Sequence, residues 1–426
     1  MSCWGHKDEQ LLLELLELQT VTPMEADEAG QLAQAQAAYA QAATPIGFEV
    51  VHHAPPPPAA LEGAEVPVSV AERARQLGPR FLESQPSMAL SLGPSVPRER
   101  TVAFNVHFDT VAPHLPVRNQ RQVIAGRGAI DAKGPAVGLL AGIRAAAAED
   151  ERIGREVGVV VQVVGGEEGG AIGCYGTRLL VEEGFVGRLN VVAEPTRLGY
   201  FDRSTTSMTA CIAVAGESAT DDAPEQGHNA TVLLGVVAFA LARDLAPCVE
   251  ALGAKLCVAG LHTGTAHNRV YGSGVLLVNL AYPSEEVGAQ LQPLLEQGVE
   301  AALAAAARDL AAVRSGARTA ADAQDICTVR WLKRALPVLA NRDEEMEAVL
   351  AAASICRHAG EGDPQPFTCD AMWFQGNGHT VIFGPGDLAG NGAHTDSEFV
   401  AASELERYAD GVRRLLRSFA DQGAAA

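Results

Sequence analysis

Val157-Gly158-Val159-Val160-Val161-Gln162-Val163-Val164 runs directly into Gly165-Gly166-Glu167-Glu168-Gly169-Gly170. The first part is a valine run without polar–apolar alternation, the signature of a strand buried on both faces and hence of a covered, largely parallel sheet. The second part ends that strand in a glycine turn holding two adjacent carboxylates. In α/β sheets, ligand and catalytic groups gather at one end of the strands. The pattern repeats outward in both directions. Thr101 to Phe104 leads into Asn105-Val106-His107-Phe108-Asp109, where period-two alternation puts His107 and Asp109 on one side of a strand. Gly126 to Gly134 is a glycine-rich turn that contains Asp131 and opens an apolar helix from about Pro135 to Ala148. Leu189 to Ala193 is a short buried strand that ends at Glu194-Pro195. Thr380 to Gly384 is a last strand, with His394 beyond it.

Elsewhere, Gln10 to Thr20 carries a leucine stripe at helical spacing, and a second, Ala-rich helix is expected from about Glu25 to Ala42. Phe48 to Val51 reads as a strand. Ala54 to about Pro97, opened by the proline run Pro55 to Pro58, reads as loop with one short helix near Val70 to Leu77. From about Ser204 to Arg314 the order becomes β-α-β-β-α: Met208 to Ala215, Asn229 to Arg243, Leu256 to Val258, Val275 to Tyr282, and Gln290 to Val313. Asp343 to about Ala359 and Ser403 to Phe419 close the chain as helices. The expected fold is α/β: a mixed-sheet domain formed by residues 1–203 and 315–426, interrupted by a smaller α+β sandwich at 204–314.

A chain of 426 residues, 47% hydrophobic and 20% charged, has ample material for more than one core. A formal charge of −20 with no basic patch excludes nucleic acid and anionic membrane as expected partners. The eight cysteines are scattered without a C-x-x-C pair, which fits a reduced, cytoplasmic chain. No charged-then-apolar leader opens the sequence, and no run approaches ~18 uninterrupted apolar residues, so no membrane helix is expected.

His107, Asp131, Glu167, Glu168, Glu194 and His394 together have the chemistry of a dinuclear zinc site. Imidazole nitrogen and carboxylate oxygen suit Zn²⁺, with Co²⁺ or Mn²⁺ as replacements. Two ions a few ångströms apart need one bridging carboxylate plus a His and a carboxylate each; this set supplies that and leaves one carboxylate over. A carboxylate beside the ligands is the natural general base for an attacking water. Taken singly, each residue has an ordinary reading: Asp131 as a helix cap, Glu167-Glu168 as a solvated turn, Glu194 as a strand end, His394 as a surface loop residue. Carboxylates at the ends of three successive strands or turns, with a histidine at either end of the series, set those readings aside.

The sequence resembles the dinuclear zinc hydrolases that include acetylornithine deacetylase, succinyl-diaminopimelate desuccinylase, aminoacylase and glutamate carboxypeptidase. The matching stretches are Asn105 to Val111, Gly126 to Gly134, Gly165 to Gly170, Ala193 to Thr196, Thr368 to Ala371, and Phe383 to Asp387 with Ala393 to Phe399; the likeness runs from about residue 8 to residue 417. It implies a zinc domain with an inserted lid or dimerisation domain, a homodimer, and a small-molecule or short-peptide amide substrate. It implies His107, Asp131 and Glu194 on one zinc, and Asp131, Glu168 and His394 on the other. Asp109 would back the His107 site, and Glu167 would take the proton from water and pass it to the leaving amine.

Two positions depart from the pattern. Aligned on Gly216, the family's lid histidine is Thr220 here, and the lid-strand arginine is Ala281. A hydroxyl is a weaker donor to an oxyanion than an imidazolium. Asn268 matches the family's lid asparagine, and its neighbours His267 and Arg269 are the favoured compensating groups. The expected function is zinc-dependent cleavage of an N-acyl or peptide-type amide with an atypical lid. The alternatives are a specialised biosynthetic enzyme using the same site for amide transfer or condensation, and a zinc-binding homologue without turnover.

Overall fold

Two units, each with its own sheet, divide the chain: Met1–Ser204 with Leu339–Ala426, and Thr205–Val338. The computed structural model describes residues 2–28, 30–360 and 362–423. The second unit extends past the expected limit at 314. The helix Ala317–Asp322 and the strand Cys327–Lys333 belong to it, and that strand pairs antiparallel with Thr206–Ala215.

The first unit is built on a seven-stranded mixed sheet. Its strands are β1 (Phe48–Ala54), β2 (Ser87–Leu92), β3 (Thr101–His107), β4 (Gly158–Val164), β5 (Leu189–Val192), β6 (Tyr200–Phe201) and β7 (His379–Phe383), in the spatial order β1-β2-β4-β3-β5-β7-β6. The four middle strands β4, β3, β5 and β7 are parallel, and β1, β2 and β6 add antiparallel edges. Val159, Val161 and Val163 are buried on one face and Gln162 and Val164 on the other, as a strand covered on both faces requires. Helices cover the sheet. His6–Glu17 buries Leu11, Leu12, Leu15 and Leu16, and Lys133–Glu149 packs against the closing helix Ala402–Gly423. Small residues allow that close approach: a Cβ at Gly142 would come 2.5 Å from the Ala409 carbonyl oxygen.

Three expectations are corrected. Ser87–Leu92 is a buried central-type strand within the stretch read as loop. The second helix begins at Leu32 rather than Glu25, after Gly30 and a tie from the Gln31 amide to the Gln19 carbonyl at 2.6 Å. The helix expected from Asp343 to Ala359 ends at Ala352.

The second unit is a four-stranded antiparallel sheet in the order Lys255–His262, Ser273–Tyr282, Thr206–Ala215, Cys327–Lys333. Met208, Ala210, Ile212 and Val214 alternate inward and pack with Leu276, Val278 and Leu280 under Leu233, Leu234, Val237, Leu291 and Leu295. By length and composition, Ala230–Ala251 is apolar enough to cross a bilayer, although no uninterrupted apolar run marks it; only 33% of its most apolar window is buried in this unit.

Candidate metal centre

The parallel register brings the donors to one edge of the sheet. His107 is the last residue of β3 and lies opposite Val164, the last residue of β4. The turn that follows β4 depends on Gly166, at φ +83°, where a Cβ would sit 2.1 Å from the Tyr175 ring. This turn presents Glu167 and Glu168. Glu194 follows two residues after β5, fixed by the bond from the Ala193 amide to the Asn105 carbonyl at 2.9 Å. Asp131 precedes the helix Lys133–Glu149 but does not cap it: the cap residue is Ala132, with no side-chain cap bond. His394 lies in the loop after β7 at φ +63°, a left-handed conformation that a non-glycine residue adopts only when its surroundings hold it there.

Asp131 lies at the centre. One of its oxygens is 2.9 Å from His107 Nε2 and the other 3.1 Å from His394 Nε2. Glu194 Oε1 lies 3.6 Å from His107 Nε2, and Glu168 Oε1 lies 3.0 Å from His394 Nε2. The ligand atoms of His107, Asp131 and Glu168 all fall within 4.8 Å of one another. The other His107 nitrogen, Nδ1, faces the Asp109 main-chain oxygen at 2.9 Å, which makes Nδ1 the N–H and leaves Nε2 for the centre. Asp109 therefore orients His107 through its backbone. Its carboxylate, 3.8 Å from Nδ1, instead accepts the Glu167 and Glu168 amides at 3.3 and 3.0 Å and so shapes the turn that carries them.

The electrostatics of this arrangement call for cations. Asp109, Asp131, Glu168, Glu194 and Asp370 are buried, Glu167 is part-buried, and among the described residues the imidazoles of His107 and His394 stand against them. Burial pushes Glu167 and Glu194 well above the usual carboxylate range, and neighbouring carboxylates add to the effect. Burial likewise raises Glu168 to about 7. Burial opposes the charged form of His107, but its bond to Asp131 and the charges of Glu194 and Asp131 outweigh that and raise it. The bonds to Asp131 and Glu168 raise His394 to about 10. So many buried carboxylates cannot all ionise unless cations compensate them. Imidazole nitrogens and carboxylate oxygens converging on a shared Asp131 fit divalent ions.

Two nearby carboxylates lay in sequence motifs without a role. Asp370 accepts the Thr177 hydroxyl, and Thr177 in turn accepts from Asn105 Nδ2 at 3.0 Å, two residues before His107. Glu398 accepts main-chain amides of the Asp131 loop. Neither carries a local signal: Asp370 opens a short 3-10 helix and Glu398 lies in a loop, and the partners of both are distant in sequence.

The residues expected on a lid belong to the second unit. Thr220 and Arg269 are direct partners in a two-stranded ladder, and both are exposed, as are His267 and Asn268. The Arg269 guanidinium lies 5.6 Å from the centroid of the Tyr271 ring. His228, a further histidine of that unit, is buried. Its Nδ1 accepts the Glu217 amide and its Nε2 meets Asp322 at 3.0 Å, which makes it a structural tie.

Fold and site together define a class: an α/β chain with a second α+β unit spliced into it, holding imidazole and carboxylate donors for metal ions at the carboxyl edge of its parallel strands. The chain belongs to peptidase family M20/M25/M40, whose family model matches residues 103–418. Among curated proteins, it is 32% identical over 216 residues to a protein of Aeropyrum pernix provisionally named LysW-lysine/LysW-ornithine hydrolase, a match covering 49% of this chain and 55% of that one. A shorter match, 39% identical over 56 residues, is to the N-acetyl-L-citrulline deacetylase of Xanthomonas campestris and covers 13% of this chain and 15% of that one. The chain thus spans about half the length of the first relative and less of the second. A tripeptidase structure from Staphylococcus aureus shares the fold, with a TM-score of 0.67 at 15% identity over 97% of this chain and 98% of that one.

Proposed function

We propose that this chain is a metal-dependent amidohydrolase that cleaves an N-acyl or peptide-type amide, with two Zn²⁺ ions per chain and Co²⁺ or Mn²⁺ as workable substitutes. The observation that carries this reading is Asp131 lying between His107 and His394 with one oxygen toward each. In this reading His107, Asp131 and Glu194 hold one ion, and Asp131, Glu168 and His394 hold the other. Bound ions supply Lewis acidity to the substrate carbonyl and make water more acidic.

The chain's own residues do the rest. Glu167 stands beside the donors on a turn fixed by Asp109, is part-buried where Glu168 is buried, and has a carboxyl pKa raised by burial. A raised pKa suits a group that takes a proton and later returns it. It accepts the proton of the attacking water as the new C–O bond forms, then gives it to the nitrogen as the C–N bond breaks, which leaves a carboxylic acid and an amine. The names of both curated relatives contain an amino acid, which supports an amino acid as the leaving amine here. Arg269, opposite Thr220 in the ladder, is the cationic group that stands in for the lid histidine, with His267 and Asn268 beside it. We also place the protein in the cytoplasm, a reading supported by eight unpaired cysteines.

The test is Glu167→Gln. It should keep both ions and lose on the order of 10²–10⁴-fold in kcat on a panel of N-acyl amino acids and dipeptides. Metal analysis and steady-state kinetics on the same preparation check it, and near wild-type turnover would sink the base assignment.

A further inference from the structure

Glu398 is 1% exposed, and both its carboxylate oxygens are engaged. One oxygen accepts the amides of Gly128, Ile130 and Asp131 at 2.9, 3.1 and 3.3 Å. The other accepts Arg127 Nη1 at 2.7 Å, and Arg127, also 1% exposed, is anchored through Nε to the Pro113 carbonyl at 3.2 Å. The Gly126 amide adds a bond to the Glu398 carbonyl at 3.2 Å. One side chain thus gathers the loop that ends in Asp131.

Glu398 also sits in the loop that bears His394. That loop is closed by Asn391: its carbonyl accepts the Phe399 amide at 3.0 Å, its side-chain nitrogen reaches the Phe399 carbonyl at 3.2 Å, and its side-chain oxygen accepts the Asp387 amide at 2.8 Å. Beyond Glu398, Phe399–Ala401 pairs with Val123–Ala125, just ahead of the Asp131 loop. We infer that Glu398 is a positioning residue that locks the Asp131 loop to the His394 loop and so sets the donors of one of the two metal positions. The inference rests on the dinuclear reading proposed above.

Two physical arguments support it. First, a buried ion pair seldom improves stability over apolar groups of the same volume. A carboxylate saturated by three amides and a guanidinium provides direction instead, fixing a loop that has no secondary structure of its own. Second, the donors are supported unequally. His107 ends a central strand, and Glu194 follows one that is bonded to the Asn105 carbonyl through Ala193. His394 has only its loop, in a left-handed backbone conformation. Loss of Glu398 loosens Asp131, which both ions share, but should fall hardest on the His394 side, where no strand holds the histidine.

The experiment is a competition titration of the full-length protein with Zn²⁺ against a chromophoric chelator. Co²⁺ absorption spectra and thermal melts on the same samples accompany it. Wild type should bind two ions. Glu398→Ala should weaken one ion only slightly and the other about 10–100-fold, the usual cost of losing a partner that orients a ligand. The Co²⁺ spectrum should then saturate with a single site's bands. Glu398→Gln, which keeps an acceptor oxygen but loses the charge, should fall between the two and carries the test if the alanine variant does not fold. In a His394→Ala background, Glu398→Ala should cost little further affinity, because both act chiefly on the same ion. Wild-type affinities for both ions in the variants would overturn the inference alone. Equal weakening of both ions together with a lower melting temperature would also overturn it, by reducing Glu398 to a core residue. A wild type that binds no ion would overturn the inference and the proposed function together.

Discussion

Asp131 shows how one side chain acquires its role from its neighbours. Before the helix Lys133–Glu149 it has the sequence position of a cap, yet its oxygens face His107 and His394 and the cap residue is Ala132. Without metal, the cluster manages its charge by holding protons. His394 is kept protonated up to about pH 10 by its bonds to Asp131 and Glu168. A metal ligand must be neutral imidazole, so an ion that binds must expel that proton. Below about pH 10 metal binding should therefore release at least one proton per chain, and apparent affinity should rise with pH through that range. Calorimetric titrations of Zn²⁺ in buffers of different ionisation enthalpy measure the release directly. Binding that is independent of pH and buffer would place His394 outside the metal set.

At the scale of elements, the sequence declares strands that are buried on both faces and conceals those whose burial depends on neighbours. The unalternating run Val157 to Val164 announces β4, and the short apolar runs announce β3, β5 and β7. Ser87-Met88-Ala89-Leu90-Ser91-Leu92 has no β-branched residue and lies between Pro86 and Gly93-Pro94, so it reads as loop; pairing with β1 and β4 on either side makes it a strand. Cys327–Lys333 begins with Thr328 and Arg330 alternating outward, as a half-exposed strand does, and only its pairing with Thr206–Ala215 assigns it to the second unit. The candidate site was legible because its donors end strands or occupy glycine turns. Asp370 and Glu398 were not, because their roles lie in hydrogen bonds to segments about 200 or more residues away. The turn after β4 gives a test at this scale. Gly166→Ala would put a Cβ 2.1 Å from the Tyr175 ring at φ +83°. It should cost about 1–3 kcal/mol in backbone strain, with the clash added, and lower kcat by shifting Glu167. Chemical denaturation and kinetics together check this; an unchanged midpoint and rate would mean the turn yields more easily than its packing implies.

For the molecule as a whole, the second unit presents surface that a monomer has little reason to keep. The Ala230–Ala251 stretch fills the unit's core with Leu233, Leu234, Val237, Leu241, Leu245 and Val249, yet leaves Val232 and Phe239 exposed, Phe239 to 63%. Beside it, Lys255–His262 is an edge strand with Leu261 exposed and no strand partner on its outer side among the described residues. Long bare edges and apolar patches invite pairing. Two copies related by a twofold axis would join edge to edge and cover both features at once, because an isologous contact uses the same patch on each. We therefore propose the homodimer that the family resemblance implies, with this edge and helix as its contact. Phe239→Glu combined with Leu261→Lys should give a monomer by sedimentation velocity while keeping the metal content of wild type, since neither residue lies in the metal-binding unit. If Arg269 acts as the lid's cationic donor on the partner subunit's substrate, the monomer should also lose on the order of 10²–10³-fold in kcat, the usual cost of one oxyanion donor, and Arg269→Ala in the dimer should match that loss. A monomeric variant with full turnover would confine the lid's role to its own chain, and a monomeric wild type would assign the exposed apolar helix to some other partner.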